Sequence, residues 1–390
     1  MNDNNNPGNN NDQTRNYRVT LTPLGNFFFG GQKLTEVEKE KDYYIKSLYY
    51  PPQTVILGML RQELLVQNGL FPLDKAAEED KEKAVRLIGE ASFDPTNTAQ
   101  EFGAIKELSP VFIMHGKELS FHISPMDYGH TYKPHTDGKT YFNYPEAGVK
   151  EVVPYFEGYN AKEGNPEKLL SKDSPHEAID LKDVFIQDEQ IGIKKGKKGQ
   201  TEEEGYYKQV FFRLEKEYTF AFYLKLKAEW NGQAVSFANN MVFIGGERSG
   251  FKMELEPVTE ADANKPVNDL FDQTLPQLAG PKILLTGDAF VEPRILNLCD
   301  FAVTGSVRSR NFRSYVRTTR KYWNLTDRKD DKETPFLGDR YNLLSRGAVL
   351  YYHNPETLKE LEGLLDITGY KNIGFNYYKI YPSQDEKGKE

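Results

Sequence analysis

The sequence predicts an α+β protein of two domains, and three observations carry that reading. Its 390 residues exceed the usual size of one domain. Alternating apolar segments follow one another across short turns with few helical stretches between them, which is not the strict strand–helix alternation of a parallel sheet. The 24 Phe and 24 Tyr suit half-buried sheets, and they suit base stacking equally well.

Residues 1–14 begin with an Asn-rich run that has nothing apolar to bury, so a disordered tail is expected. Tyr17, Val19 and Leu21 alternate, which predicts a strand from Tyr17 to Leu24. It runs into Phe27, Phe28 and Phe29, bracketed by Gly25, Gly30 and Gly31. This is a loop with an unusual aromatic load, and Phe29 is a candidate RNA contact. Pro51 and Pro52 before, and Asn68-Gly69 after, delimit a helix over Pro52 to Gln67. A further helical stretch is expected near Lys81 to Ile88, and two strands, Val111 to Met114 and Leu119 to Ile123, flank a turn at His115-Gly116-Lys117. Ser124 to Ser174 lacks steady periodicity and reads as a long insertion.

The second half begins near Leu181. Tyr206 to Leu214 and Tyr218 to Ala228 alternate around Glu215-Lys216 and read as a hairpin, and Val235 to Ile244 as a further strand. Strands are expected at Ile283 to Leu285, Ala348 to Tyr352 and Tyr377 to Tyr381, with a helix at Pro355 to Leu365. The expected division is therefore a tail at 1–14, a first domain over 15–180 with an insertion at about 124–174, and a second domain over 181–385.

Composition limits the function. The net charge of −8, from 50 basic and 58 acidic side chains, argues against coating nucleic acid with the whole surface, but leaves room for a local basic site. The single Cys299 excludes disulfides and cysteine-ligated zinc and suits a reducing cytoplasm. No window resembles a signal peptide or a membrane span, so a soluble cytoplasmic protein is expected.

Three local patterns stand out. In the first helix, Thr54, Gly58, Arg61 and Leu65 fall on one face beside a core stripe of Ile56, Leu60 and Leu64. Gly58 costs about 1 kcal/mol relative to Ala, which makes sense where another backbone approaches and Arg61 reaches a phosphate. The plain alternative is helix-on-sheet packing with a surface arginine. Next, Gly245-Gly246-Glu247-Arg248-Ser249-Gly250 offers backbone N–H groups and one guanidinium to a phosphate. It is neither a Walker A loop nor a Rossmann fingerprint, and its plain reading is a glycine-rich turn. Finally, no acidic residue occurs between Asp300 and Asp327, where Arg308, Arg310, Arg313, Arg317, Arg320 and Lys321 interleave with Phe312, Tyr315, Tyr322 and Trp323. Here the plain reading is a basic loop paired with the protein's own carboxylates. The six histidines show no metal-binding spacing and no nucleophile elbow is present, so no cofactor is expected and the sequence offers binding surfaces more than a reactive centre.

Taken in order, Ser47, Pro51-Pro52-Gln53-Thr54, Gly58, Arg61, Gly192-Ile193, Gly245-Gly246-Glu247-Arg248 and Arg346-Gly347-Ala348-Val349 resemble one family, the third subunits of the type III-B CRISPR Cmr complex, within the RAMP superfamily. The likeness runs from about Tyr17 to Pro382. It implies two RRM-like, ferredoxin-like domains and a noncatalytic subunit that grips the 5′ tag of the crRNA. The implied neighbours are a large polymerase-like subunit and the backbone RAMP subunits, with target RNA met only indirectly and no membrane. The resemblance carries RNA contact onto Gln53, Thr54, Gly58, Arg61, Gly245, Gly246, Arg248, Gly250 and Arg346, whereas Arg308, Arg310, Arg313 and Arg317 are candidates from charge alone. Ser249 stands where the family often has a second arginine. Either Ser124 to Ser174 or Lys194 to Gly199 is expected to form a protruding thumb. The alternatives are a metal-independent RAMP endoribonuclease that processes repeat RNA, with a histidine or tyrosine as general base, and a scaffold unrelated to CRISPR whose basic segment docks an acidic partner.

Overall fold

In the computed structural model, which describes residues 13–30, 33–34, 43–73, 76–129, 131–133, 141–144, 149–152, 155–157, 168–171, 178–195, 201–237, 240–245, 247–261, 281–312, 316 and 337–381, the chain opens on strand β1 (Thr14–Pro23). Helix α1 (Gln53–Gln67) starts straight after the two prolines, whose missing N–H groups cost nothing at a helix start. Helix α2 (Glu78–Ile88) carries Glu78, Glu79 and Asp80 in its first turn, where carboxylates face the positive end of the helix dipole. Strands β2 (Phe112–His115) and β3 (Leu119–Ile123) form the expected hairpin.

Beyond the insertion come β4 (Phe185–Lys195), β5 (Thr201–Leu214), β6 (Tyr218–Lys227), β7 (Met241–Ile244) and β8 (Ser249–Val258). The last part holds β9 (Lys282–Leu285), β10 (Phe301–Val303), β11 (Ser306–Phe312), β12 (Leu337–Leu344) and β13 (Val349–Tyr351). It closes with helix α3 (Pro355–Leu365) and β14 (Tyr378–Tyr381). The α3 start follows from sequence chemistry: the Asn354 side chain accepts a hydrogen bond from the Thr357 N–H at 2.7 Å, and Pro355 sits in the first turn.

A nine-stranded sheet dominates, with β1 inside it between β6 and β8 and β7 on one edge; β2 and β3 continue it on the far side of β6. One face of this sheet, through Val19, Leu21, Phe220, Phe222, Phe251 and Met253, packs on α1 and α2 in the larger core. The last part forms its own four-stranded antiparallel sheet in the order β10-β13-β9-β14. A short helix at Ile295–Leu298 precedes β10 and α3 precedes β14. The ladder β11–β12 stands apart as a two-stranded ribbon.

Several expectations change. β5 and β6 do not form a hairpin: β5 pairs with β4 and with Tyr43–Lys46, whereas β6 joins β1 and β2. The real hairpin is β4–β5, hidden because its turn side is a run of Lys, Gly and Glu that looks like loop. A boundary after residue 180 does not separate the sheets either: β6, β7 and β8 complete the sheet begun by β1, β4 and β5 pair with Tyr43–Lys46 from the first part, and the C-terminal sheet starts at Lys282. The segment from Ser124 to Ser174 is not uniformly irregular. It contains short strands, and its Met126 and Leu170 lie in the core of the C-terminal sheet. The Asn-rich stretch up to Asp12 and the charged loop from Thr35 to Asp42 lie outside the described residues.

The two sheets meet along a polar seam. Tyr377 Oη donates to Glu107 at 2.6 Å, and Met126 N donates to Gly347 O at 2.8 Å. Buried Lys282 pairs with buried Asp127, which also accepts from Tyr351 Oη at 2.5 Å. His122, on β3, stacks on Phe112 with its Nε2 closed off from solvent.

Burial, aided by the nearby Arg346 cation, lowers the His122 imidazole from its ordinary 6.5 to about 3. Between those values the unfolded chain takes up a proton that the folded chain refuses, so stability is lost as pH falls through this window. Replacing His122 by Gln removes that contribution. Urea unfolding at neutral pH and near pH 4.5 is expected to show an acid-induced loss about 2 kcal/mol smaller in the variant than in the wild type; equal losses would mean that His122 is protonated in the folded protein.

Candidate nucleic-acid interface

The aromatic loop after β1 faces inward. Phe27, Phe28 and Phe29 are all buried, and Phe29 stacks on Phe27 at 4.8 Å and on Phe251 at 5.9 Å. Its N–H donates to Ser47 Oγ at 2.9 Å. Phe29 is therefore a core residue with no face left for a base, and Ser47 of the sequence motif is the group that holds the loop down.

The residues expected on α1 divide in the same way. The Gln53 amide is buried, and its Nε2 donates to Ser109 O at 2.9 Å and Ile373 O at 2.8 Å. Gly374 lies against that amide, with φ +87° and no room for a Cβ. Arg61 is 7 % exposed, and its guanidinium donates to Ile88 O at 2.9 Å and Gly89 O at 3.3 Å. Those carbonyls end α2, where a cation meets both unpaired acceptors and the negative end of the helix dipole. Leu65 is buried too. The outward stripe is instead Thr54, Gly58, Gln62 and Val66, and a Cβ built on exposed Gly58 meets nothing within 4 Å.

Arg346 also turns inward. Its guanidinium lies 4.5 Å from the Tyr50 ring centroid, donates to Val111 O at 2.8 Å and pairs with Asp288. It is a stitch of the seam, not a free phosphate ligand.

The turn between β7 and β8 presents a different picture. Gly245 has φ +79°, and a Cβ there would lie 2.8 Å from Phe28 O. Ser249 Oγ accepts from Phe28 N at 3.1 Å. The turn is thus clamped onto the aromatic loop, and Arg248, itself left-handed at φ +51°, is held out in solvent. Its guanidinium carbon sits 5.2 Å from the Phe243 ring centroid, and it makes no ion pair among the described residues.

Around it, Phe243 is 51 % exposed, Met241 52 % and Leu24 56 %. Gly250 lies between Leu24 and Phe243, whose nearest atoms are 3.5 and 3.8 Å from the position of an added Cβ. The result is a ledge on the sheet edge: an exposed ring with a cation over it and an apolar rim. Such a surface can stack a base while the guanidinium meets a phosphate. Leu24, Met241 and Phe243 were not among the residues expected to bind. Their signal was present in Met241-Val242-Phe243-Ile244, where both faces of one strand are apolar although only Val242 and Ile244 are buried.

The arginine-rich segment lies partly on the β11–β12 ribbon. Arg308 is exposed opposite Asn342, and Arg310 falls directly opposite Arg340. The register and the alternation of the ladder put Arg308 and Arg340, both exposed, on one face, and Arg340 is a member the sequence reading missed because it lies far along the chain. Gly246, Arg313 and Arg317 lie outside the described residues. So do Arg320, Lys321 and the 196–200 part of the basic turn expected as one possible thumb. Among the described residues no three His, Cys, Asp or Glu come together as a metal site, and no helix is long and apolar enough to cross a membrane.

The family model for CRISPR-associated protein (Cas_Cmr3) matches residues 19–380. No curated protein matches. Three similar chains come from cryo-EM structures of the type III-B Cmr-beta, each 12 % identical. With cognate target RNA bound, the TM-score is 0.47 over 93 % of this chain and 96 % of that one. With target RNA and AMPPnP it is 0.44 over 92 % and 94 %. In the apo state it is 0.26 over 65 % and 99 %.

Because Arg61 satisfies two carbonyls at a buried helix end, Arg61→Ala is expected to lower stability by about 2 kcal/mol. Chemical denaturation measures this directly. An unchanged midpoint would free Arg61 for an external ligand.

Proposed function

The chain belongs to the Cas_Cmr3 family of CRISPR-associated proteins, and from that premise we propose that it is a noncatalytic subunit of a type III-B Cmr complex that holds the 5′ tag of the crRNA. The ledge formed by Leu24, Met241, Phe243 and Arg248 is the observation that carries this reading. Exposed apolar side chains beside a guanidinium with no ion pair among the described residues suit a stacked single strand with its phosphates. The exposed Arg308 and Arg340 of the β11–β12 ribbon support it, since two cations along one ladder suit a polyanion.

The C-terminal part supports the RAMP assignment. Its order of strand, helix, strand, strand, helix, strand, with the sheet arranged β10-β13-β9-β14, is the interleaved arrangement of a ferredoxin-like domain. In the complex the neighbours of this subunit are a large polymerase-like subunit and the backbone RAMP subunits, and the cytoplasm is its compartment.

Phe243→Ala and Arg248→Ala, assembled with guide RNA, are each expected to weaken guide retention about tenfold, the loss of one stacked base or one charge-assisted contact. The arginine variant also flattens the dependence of log K on log salt by about 0.7. Unchanged retention in both variants would remove this surface from the RNA path.

Arg340→Glu is expected to lower RNA affinity, because it replaces an exposed cation of the ribbon by an anion. Binding that stays at wild-type strength would assign the ribbon to a protein neighbour. Incubated with repeat RNA, the isolated protein is expected to leave it intact. Cleavage at one position, lost in His115→Ala, would replace the holder by a metal-independent nuclease, since His115 lies 3.6 Å from Glu217 and beside Tyr218.

A further inference from the structure

We propose that the small cavity in the seam between the two sheets is a binding site for one ordered water molecule, held by Tyr50 Oη, His122 Nε2 and Thr286 Oγ1. These three atoms are buried and have no hydrogen-bond partner among the described residues, and all three residues line the same cavity, together with Val111, Leu284 and Arg346. They come from separate parts of the fold: Tyr50 from the segment before α1, His122 from β3 and Thr286 from the turn after β9.

Leaving a buried hydroxyl or ring nitrogen unpaired forfeits the hydrogen bonds it made to water in the unfolded chain, so three orphans gathered at one place call for a common partner. Tyr50 Oη, Thr286 Oγ1 and His122 Nε2 can each donate or accept, the nitrogen according to its tautomer. Water, with two donors and two acceptors, matches that set.

Size and charge select water over other ligands. The cavity leaves about 10 Å³ for the centre of a guest, the lower limit for one water and too little for a nucleotide or a buffer molecule. An anion would need a free positive charge. Arg346 does not supply one, because Asp288 pairs with it, Val111 O takes one of its N–H groups and the Tyr50 ring covers its face. The bound water completes what Arg346 begins: Arg346 joins the sheets on the side of Asp288 and Val111, and the water joins them at Tyr50, His122 and Thr286.

A high-resolution crystal structure of the full chain, grown with and without bromide, tests the site together with the melting temperature of Thr286→Val. The expected result is a density peak within hydrogen-bond reach of at least two of the three atoms, no anomalous bromide signal there, and a melting temperature lowered by about 2 °C in the variant. The sign of that shift separates the cases. If the hydroxyl holds a water, its loss strips the water of a partner. If the cavity is dry, replacing an orphaned hydroxyl by an isosteric methyl stabilises the fold. An empty cavity, a raised melting temperature or bromide at the site would each overturn the assignment.

Discussion

The pairing of β1 on both of its edges is the constraint on which the rest of the fold depends. Its residues lie opposite Phe220 to Lys227 on one side and Phe251 to Val258 on the other, so the first strand of the chain has no place until strands from far along the sequence arrive. Such closure carries a large entropic cost before any contact repays it. Once made, it decides what the end of β1 can do. Leu24 N donates to Gly250 O, which draws the aromatic loop under the turn between β7 and β8, and Phe27 locks in place against Phe212, Phe220 and Phe251. The ledge is what remains outside when that packing is complete.

Much of this was legible in the sequence, and the part that was not has a common cause. Helices α1 and α3 and the β2–β3 hairpin announce themselves through prolines, an Asn cap and a glycine turn, all of which act within a few residues. The direction a side chain faces depends on partners far away. The spacing of Thr54, Gly58, Arg61 and Leu65 describes a helix face correctly, but α1 packs against the sheet and also against α2, so the buried arc is wider than one stripe and takes in Arg61 and Leu65. Phe29 is a similar case. A glycine-bracketed aromatic reads equally as a stacking platform and as a plug, and only the arrival of Phe251 and Phe220 decides for the plug. The arginines of the ribbon were visible as a charge reversal, whereas Arg340 joins them only through strand pairing.

The arginines sort by what surrounds them. Arg61 and Arg346 are held by carbonyls, by the Asp288 carboxylate and by the Tyr50 ring, and their role is to let polar backbone be buried where helices and turns end. Arg18 is matched to Glu256 across the sheet at 2.5 Å. Arg248 and Arg308 have no such match among the described residues, and Arg340 is exposed on the same ribbon as Arg308. On a chain of net charge −8, arginines exposed at the rim of an apolar ledge and along a ribbon, with no ion pair among the described residues, are places of local positive charge on an acidic surface. A polyanion placed there meets attraction locally while the rest of the surface repels it, and that contrast favours one path for a strand over general adhesion.

The seam fixes how the dominant sheet and the C-terminal sheet dock. Lys282 and Asp127 are buried together, and the cost of removing both from water pushes the Lys282 ammonium below its ordinary range. A buried ion pair of this kind adds little net stability, yet breaking it strands a charge, so it penalises every docking of the two sheets except the one in which Asp127 reaches Lys282 and Tyr351. Gln53, Tyr377 and Arg346 add hydrogen bonds that also fail if the sheets shift. The residues that looked like ligands in the sequence are, to a large extent, the ones that fix this arrangement. Removing Gln53 or Arg346 should therefore weaken the fold through this seam before it changes anything the surface can bind.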